Sequence, residues 1–385
     1  MTPADRALDA FRDLNDRAPQ GVWSAPGRAN LIGEHTDYNE GFVLPFAITE
    51  RTVAAAARRG DDTITVASTS FPGRASIAGL SRGVPGKAAG WPAYPLGVAW
   101  AIAQVRSLPH CPGADLLIDS AVPAGGGLSS SAALEMAVAG ALADLWGLDL
   151  TVPERARIGQ RAENEFVGAP TGIMDQYASL LGQPDAAVLL DCRTLEARSV
   201  PLRLGPAGLV LVLADTGERH AHAAGGYAAR RASCERAARQ LGVPALRDVE
   251  TADLPGIEGE LDKETFRRVR HVVTENARVK ATVAALEAGA MKTVGRHLTA
   301  SHRSMRDDYE ITTPALDLAV EAALSAGALG ARMTGGGFGG STITLIDARR
   351  VPALRAAIGD AFTAARLTPP RIATVTPSAG AYKEG

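Results

Sequence analysis

An α+β fold is predicted by three observations on this 385-residue chain. Short apolar, β-branched runs crowd residues 42–70, as strands do. Helical patterns dominate residues 225–329. Strand-like runs then return after the last glycine-rich loop and close the chain. This order of strands and helices gives a mixed α+β chain.

The elements follow in order. Residues 3–17 place Ala and Leu at helical spacing among Asp and Arg, as a short amphipathic helix does. Phe42–Ile48, Thr52–Ala57 and Thr63–Ser68 read as strands, Leu96–Val105 as a helix and Asp115–Ser120 as a strand. Leu134–Leu148 continues an alanine-rich buried helix. Pro153 at a first-turn position and Gly168 just past the end frame another. Val188–Asp191 and Val200–Leu204 read as strands. Gly205-Pro206 is a boundary, because a new apolar strand, Leu209–Ala214, begins behind it; the expected domains are 1–205 and 206–385. Helical patterns cover 225–241, 263–290, 291–307 and 315–329, and strands are expected at Ser341–Ile346 and Arg371–Thr376.

Composition narrows the function classes. The length suffices for two or three domains. With 40 basic and 42 acidic residues the chain is near neutral, so no nucleic-acid footprint or polybasic membrane patch is expected. Cys111, Cys192 and Cys234 fit neither a disulfide framework nor a zinc spacing. The start of the chain lacks the apolar core of a signal peptide, and no run approaches a membrane span. A reduced, cytoplasmic, monomeric protein is expected.

Three segments carry chemistry. In Gly125-Gly126-Gly127-Leu128-Ser129-Ser130-Ser131, glycines and serines run into a helix. Glycines let successive N–H groups turn toward one point, and a helix start adds free N–H groups and a positive dipole end. Together these form a phosphate socket. In Ala25–Asn39, Arg, Asn, Glu, His, Thr, Asp and Tyr crowd together with no helical or strand period. That density suits a polyhydroxyl ligand, with Arg28 supplying a fixed charge. Thr334–Ser341 holds a third loop in which backbone must come close to something. It formally satisfies G-x-G-x-x-G, but a helical pattern precedes it and a strand follows, the reverse of a dinucleotide site.

These segments together resemble the three motifs of the GHMP kinase superfamily. Gly33-Glu34-His35-Thr36-Asp37-Tyr38 is similar to the wording of its galactokinase family. Gly172-Ile173-Met174-Asp175-Gln176 and Ser301–Tyr309 agree. The resemblance spans Pro26 to Ile343 in family order. It implies a ribosomal-protein-S5-like N-terminal domain and a ferredoxin-like C-terminal α/β sandwich, with the site between them. The last strand is expected to return to the first domain.

The implied activity is ATP-dependent phosphorylation of galactose at the C1 hydroxyl, giving α-galactose 1-phosphate with Mg²⁺. An N-acetylgalactosamine or other sugar 1-kinase and a non-catalytic galactose/ATP sensor stay open. The chain has no Walker A signature, so the phosphates must be held by Gly125, Gly126, Gly127, Leu128, Ser129, Ser130 and Ser131. By resemblance Ser131 and Glu163 hold the metal, although spacing alone leaves Glu163 and Glu165 open. Asp175 is the implied base, near a helix start, with Arg28 holding it and neutralising charge. Glu34, His35, Thr36, Asp37, Gly172 and Tyr227 match sugar-contacting positions, and Ser68 a nucleotide contact.

Overall fold

The computed structural model describes residues 1–79, 89–108, 112–219 and 223–384; Cys111 lies outside them. Helix α1 (Pro3–Asn15) starts at a Thr2 capping box with Pro3 in its first turn. Strands β1 (Gly21–Asn30), β2 (Phe42–Val43), β3 (Pro45–Arg58), β4 (Thr63–Ser68) and β5 (Arg74–Ala78) follow. Then come α2 (Ala93–Val105), β6 (Ala114–Ser120) and α3 (Ser130–Trp146). Thr151 caps α4 (Val152–Arg161), and a π-helical turn, Ala162–Val167, continues it to Gly168, whose φ is +85°. Next are α5 (Met174–Leu181), β7 (Ala186–Asp191) and β8 (Ala197–Pro201). The remainder comprises β9 (Leu209–Arg219), α6 (Ala223–Gln240), α7 (Leu254–Ile257), α8 (Lys263–Glu287), α9 (Met291–Ser304), α10 (Pro314–Ser325), β10 (Gly330–Thr334), β11 (Gly339–Asp347), α11 (Val351–Ala364), β12 (Arg371–Val375) and β13 (Tyr382–Lys383).

Three sheets result. The first runs β13-β1-β3-β6-β4-β5, antiparallel except for the parallel β4–β6 pair. Both its faces are covered. Phe11 and Ala7 of α1 pack on Val53, Ala55 and Ala57, while Ala54 and Ala56 face α2 and α3. Alanines in β3 let helices approach both sides closely, as in a close-packed interior. The second sheet, β10-β11-β9-β12, is wholly antiparallel, with α10 and α11 on one face. On the other, Leu211, Leu213, Ile343 and Leu345 join Val279 of α8 and Leu31, Ile48 and Leu128 of the N-terminal region in one core. A small third sheet runs β2-β7-β8. The last strand expected, Arg371–Thr376, is β12 and stays in the second sheet, whereas the short β13 pairs with β1 of the first, with Trp23↔Lys383 and Ser24↔Tyr382 in register.

Four expectations need correction. The run around Arg28 belongs to a strand: β1 is buried along nearly its whole length, so no alternation shows. The strand expected at Val200–Leu204 is Ala197–Pro201, because the chain turns at Leu202–Leu204. The helical pattern at 315–329 stops at Ser325, and strand β10 leads into the third loop. That loop therefore joins a β-hairpin, and what excludes a dinucleotide site is the strand after it. Finally, 153–168 is a helix plus a π-turn rather than one helix.

Candidate active site

The Gly125–Ser131 loop joins β6 to α3. Ser129 adopts φ +53°, and its hydroxyl does not cap α3; it donates to Asp175 Oδ2. The first turn of α3 therefore keeps its N–H groups for an anion. The loop carbonyls are turned inward. Gly126 O accepts from Ser341 Oγ at 2.7 Å, Gly127 O from Arg28 Nη1 at 2.6 Å and Leu128 O from Arg28 N at 3.0 Å. In a trans peptide the N–H points opposite the C=O, so Gly127, Leu128 and Ser129 present their N–H groups away from this frame.

Hairpin β10–β11 lies directly behind. A Cβ on Gly335 would stand 2.8 Å from Gly127 O, and one on Gly127 would stand 3.2 Å from Thr334 O. Ser68 ends β4, opposite Ile118 near the end of β6 that leads to the loop. Its Oγ accepts from Ser70 N at 3.1 Å.

Arg28 is buried and reaches across to α5. Its Nε lies 2.8 Å from Asp175 Oδ1 and its Nη2 2.9 Å from Asp175 Oδ2, a bidentate pair. Asp175 sits in the first turn of α5, where a carboxylate suits the dipole.

Glu163 and Glu165 part company on the π-turn. Glu163 is 3 % exposed; its Oε2 accepts from Thr171 Oγ1 at 2.6 Å and Gln176 Nε2 at 3.2 Å, and it meets the Ser131 hydroxyl. Glu165 turns outward, its side chain 52 % exposed, to Arg161. Burial raises the Glu163 carboxyl above its ordinary range. Glu135 is buried beside it and bonded to the same Gln176 amide at 3.0 Å. Burial first, then the Glu163 charge, pushes Glu135 well above the usual carboxylate range. Among the described residues, Glu135 Oε1 and Gln176 Oε1 have no hydrogen-bond partner. The groups beside Ser131 thus offer carboxylate and hydroxyl oxygens, which suit a hard divalent cation.

The Gly33–Asp37 turn forms the opposite wall. Glu34 is buried, and its carboxylate accepts from Asn30 Nδ2 at 2.7 Å, Gly335 N at 2.9 Å and Arg332. Burial outweighs Arg332 and pushes it up to about 6. His35 Nε2 faces the Gly336 carbonyl at 3.0 Å, so that nitrogen carries the proton and Nδ1 accepts from the Tyr38 hydroxyl at 2.6 Å. Burial pushes the ring down to about 3, so it is neutral. Tyr227 leans on it, ring centroids 4.9 Å apart. Thr36 ties the turn to itself through Gly33 O at 2.9 Å and Phe42 O at 2.7 Å.

Asp37 is pushed up to about 6 by burial and then by the neighbouring Asp175 charge. A Cβ on Gly172 would stand 1.7 Å from Asp37 Oδ2, so only glycine fits there. Asp37, Gly172, Arg28 and Asp175 thus come together beside the glycine loop, while Glu34, His35 and Thr36 stand behind them with their polar atoms in internal hydrogen bonds and Tyr227 against the His35 ring. Sequence reasoning missed Arg332, Glu275 and His271, which lie about 240 to 300 positions away from the turn they touch.

Comparison with known proteins agrees. Residues 9–58 match the family described as galactokinase galactose-binding signature. Residues 93–183 match GHMP kinases N terminal domain, and 282–364 match GHMP kinases C terminal. A Streptomyces coelicolor galactokinase is 50% identical over 380 residues, covering 97% of each chain. A Mycobacterium tuberculosis galactokinase is 49% identical over 329 residues, covering 85% of this chain and 89% of that one. The crystal structure of Lactococcus lactis galactokinase complexed with galactose superposes with a TM-score of 0.94 at 33% identity, covering 100% of both chains. Methanococcus jannaschii mevalonate kinase shares the fold, with a TM-score of 0.65 at 16% identity over 92% of this chain and 98% of that one. The chain is a sugar kinase of the GHMP superfamily with its two-domain architecture, and it belongs to the galactokinase family.

Proposed function

We propose that this chain transfers the γ-phosphoryl group of ATP directly to the C1 hydroxyl of galactose, giving α-galactose 1-phosphate and ADP. The observation that carries this reading is the Arg28–Asp175 pair, 2.8 and 2.9 Å at its two bonds, standing between the glycine loop and the Gly33–Asp37 turn. The sugar oxygen attacks the γ-phosphorus, the bond to the β,γ-bridging oxygen breaks, and ADP leaves with that electron pair. Asp175 accepts the proton of the attacking hydroxyl. With Arg28 and Ser129 on the same carboxylate, it acts as an orienting acceptor as much as a base. Arg28 offsets negative charge as the phosphoryl group passes.

The loop N–H groups of Gly127, Leu128 and Ser129, and the start of α3, hold phosphate oxygens; Gly125, Gly126 and Ser130 shape that loop. Ser131 and Glu163 hold Mg²⁺, which neutralises phosphate charge when bound. Among the described residues no three His, Cys, Asp or Glu side chains form a metal group of their own, in keeping with magnesium's habit of relying on phosphate oxygens and water. Glu34, His35, Thr36, Asp37, Gly172 and Tyr227 form the sugar wall, with Ser68 toward the nucleotide base. Gly205-Pro206 divides the two domains, and we place the enzyme in the cytoplasm as a monomer.

An ADP-release assay with Mg–ATP and galactose, glucose, N-acetylgalactosamine, mevalonate or homoserine tests this. Turnover with galactose and little with glucose is expected, because a misplaced hydroxyl leaves buried acceptors unpaired. Measurable galactose binding without turnover on any of them would make the chain a sensor instead.

A further inference from the structure

The Ser301–Tyr309 segment and mid-α8 take no part in the phosphoryl-transfer geometry, yet both converge on the sugar turn. Glu275 of α8 is fully shielded from solvent. Its Oε1 accepts from the Gly33 N–H at 3.0 Å and from Ser301 Oγ at 2.6 Å, and its Oε2 accepts from Arg278 Nε at 2.6 Å. Arg332 Nη2 lies 3.9 Å from Glu275 Oε1 and donates to Glu34 Oε2, while Nη1 donates to Leu31 O at 2.9 Å. One turn earlier on α8, His271 Nε2 donates to the Glu34 carbonyl at 3.2 Å, and its Nδ1 stands 3.0 Å from Ser304 Oγ. Asn276 accepts from Phe42 N at 2.9 Å, and the Tyr309 hydroxyl is 2.8 Å from that of Tyr38.

The turn is therefore bonded at Gly33 and Glu34 to α8 and β10, and Tyr38 and Phe42 just beyond it are held by Tyr309 and Asn276, while α9 acts at one remove, through Ser301 on Glu275 and Ser304 on His271. A carboxylate is the one side chain that can accept from an N–H and a hydroxyl while neutralising one buried guanidinium, Arg332, and one half-buried one, Arg278. Without it, Arg332 would keep only Glu34 as a partner for its buried charge and Arg278 would lose its carboxylate.

We propose that Glu275 is a positioning residue for sugar binding: by holding the Gly33 N–H and, through Arg332, the Glu34 carboxylate, it fixes the Gly33–Asp37 turn in the geometry that accepts galactose hydroxyls. This rests on that turn being the sugar wall. It also gives the Ser301–Tyr309 motif a purpose, since Ser301, Ser304 and Tyr309 each brace one of the groups gripping the turn.

Glu275→Gln keeps the shape and an acceptor oxygen but removes the charge. By titration calorimetry without nucleotide, the galactose Kd rises about tenfold or more, because small misplacements of binding groups are costly. The Kd of Mg–ATP measured without sugar stays about the same, and kcat at saturating galactose changes far less than KM, a split typical of lost ground-state binding. Ser301→Ala removes one hydrogen bond only and raises the galactose Kd about threefold; it carries the test should Glu275→Gln not fold. Amide hydrogen exchange over residues 31–41 reads the positioning with no sugar present. It should quicken in either variant while residues 125–134 keep their rate. A folded variant with unchanged exchange at 31–41, or with an unchanged galactose Kd, overturns the proposal. A wild-type protein that binds no galactose would instead sink the sugar-wall reading, and the exchange rates would then decide by themselves whether Glu275 holds the turn.

Discussion

Asp175 and Asp37 are carboxylates of one cleft with different surroundings. Asp175 receives a guanidinium on both oxygens, whereas Asp37 is wedged against Gly172 and pushed up to about 6. Asp175→Asn keeps the shape and removes the proposed proton acceptor, so kcat should fall roughly 10²- to 10³-fold while calorimetry finds galactose and ATP still bound. Wild-type turnover in that variant would remove Asp175 from the reaction.

On the proposed reading Asp37 and Glu34, both at about 6, accept sugar hydroxyls best when ionised. Galactose affinity in the absence of ATP should therefore be full above that value and decline as pH falls through about 6; a flat profile from pH 8 to 5 contradicts it. Stability of the empty protein is the wrong readout. These two carboxyls, raised above their unfolded values, stabilise the fold on acidification. His35 and His271, lowered to about 3 and about 4, weaken it as pH falls below their unfolded value of 6.5. At this scale the sequence was highly legible, because Arg28, Glu34, Asp37 and Asp175 lie in contiguous motifs. Glu275 and Arg332 were not, because a buried ion on a distant helix or strand has no spacing that betrays it.

At the scale of elements, two glycine-rich segments stand back to back. Hairpin β10–β11 supports the Gly125–Ser131 loop, the proposed phosphate socket, through Thr334, Gly335 and Ser341. Gly335 has φ +93°, and a Cβ there would press on Gly127 O at 2.8 Å. Gly335→Ala should cost about 1–2 kcal/mol of stability from the backbone strain and raise the KM for ATP more than that for galactose. An equal rise in both would mean that the hairpin braces the whole cleft and not the loop alone.

A helix start was legible where Pro marked it, as at Pro153, whereas the stretch running on to Gly168 hid a π-turn that no framing residue announces. Strands β1 and β10 were not legible. Covered on both faces, and carrying Ser24, Arg28 and Asn30 or Arg332 among their buried residues, they show neither alternation nor an apolar run. Tertiary partners, not local pattern, make those segments strands.

At the scale of the whole molecule, residues 378–384 lie against the first sheet. Ser378 N donates to Ala47 O at 2.9 Å, Gly380 N to Gly182 O and Ala381 N to Ser179 O at 2.8 Å each, and Glu384 N to Val22 O at 2.8 Å. Arg51 closes over this tail through Ala379 O and Gly380 O, each at 2.8 Å. Ser179 and Gly182 stand at the end of α5, the helix that bears Asp175. Ending the chain at Pro377 should remove several hydrogen bonds worth about 1 kcal/mol each, lower the melting temperature by several degrees, and reduce kcat more than either KM. Full activity after that truncation would show that α5 needs no such anchor.

That tail also sets an order of events during folding. β1 and β3 are neighbours in the chain and can pair early, whereas the outer neighbour of β1 comes from the far side of the second sheet, with Lys383 pairing back to Trp23. The end of α5 gains its backbone partners from the same distant residues. One edge of the first sheet and one end of the helix that bears Asp175 therefore close together, in a single long-range step that the local hairpins must precede.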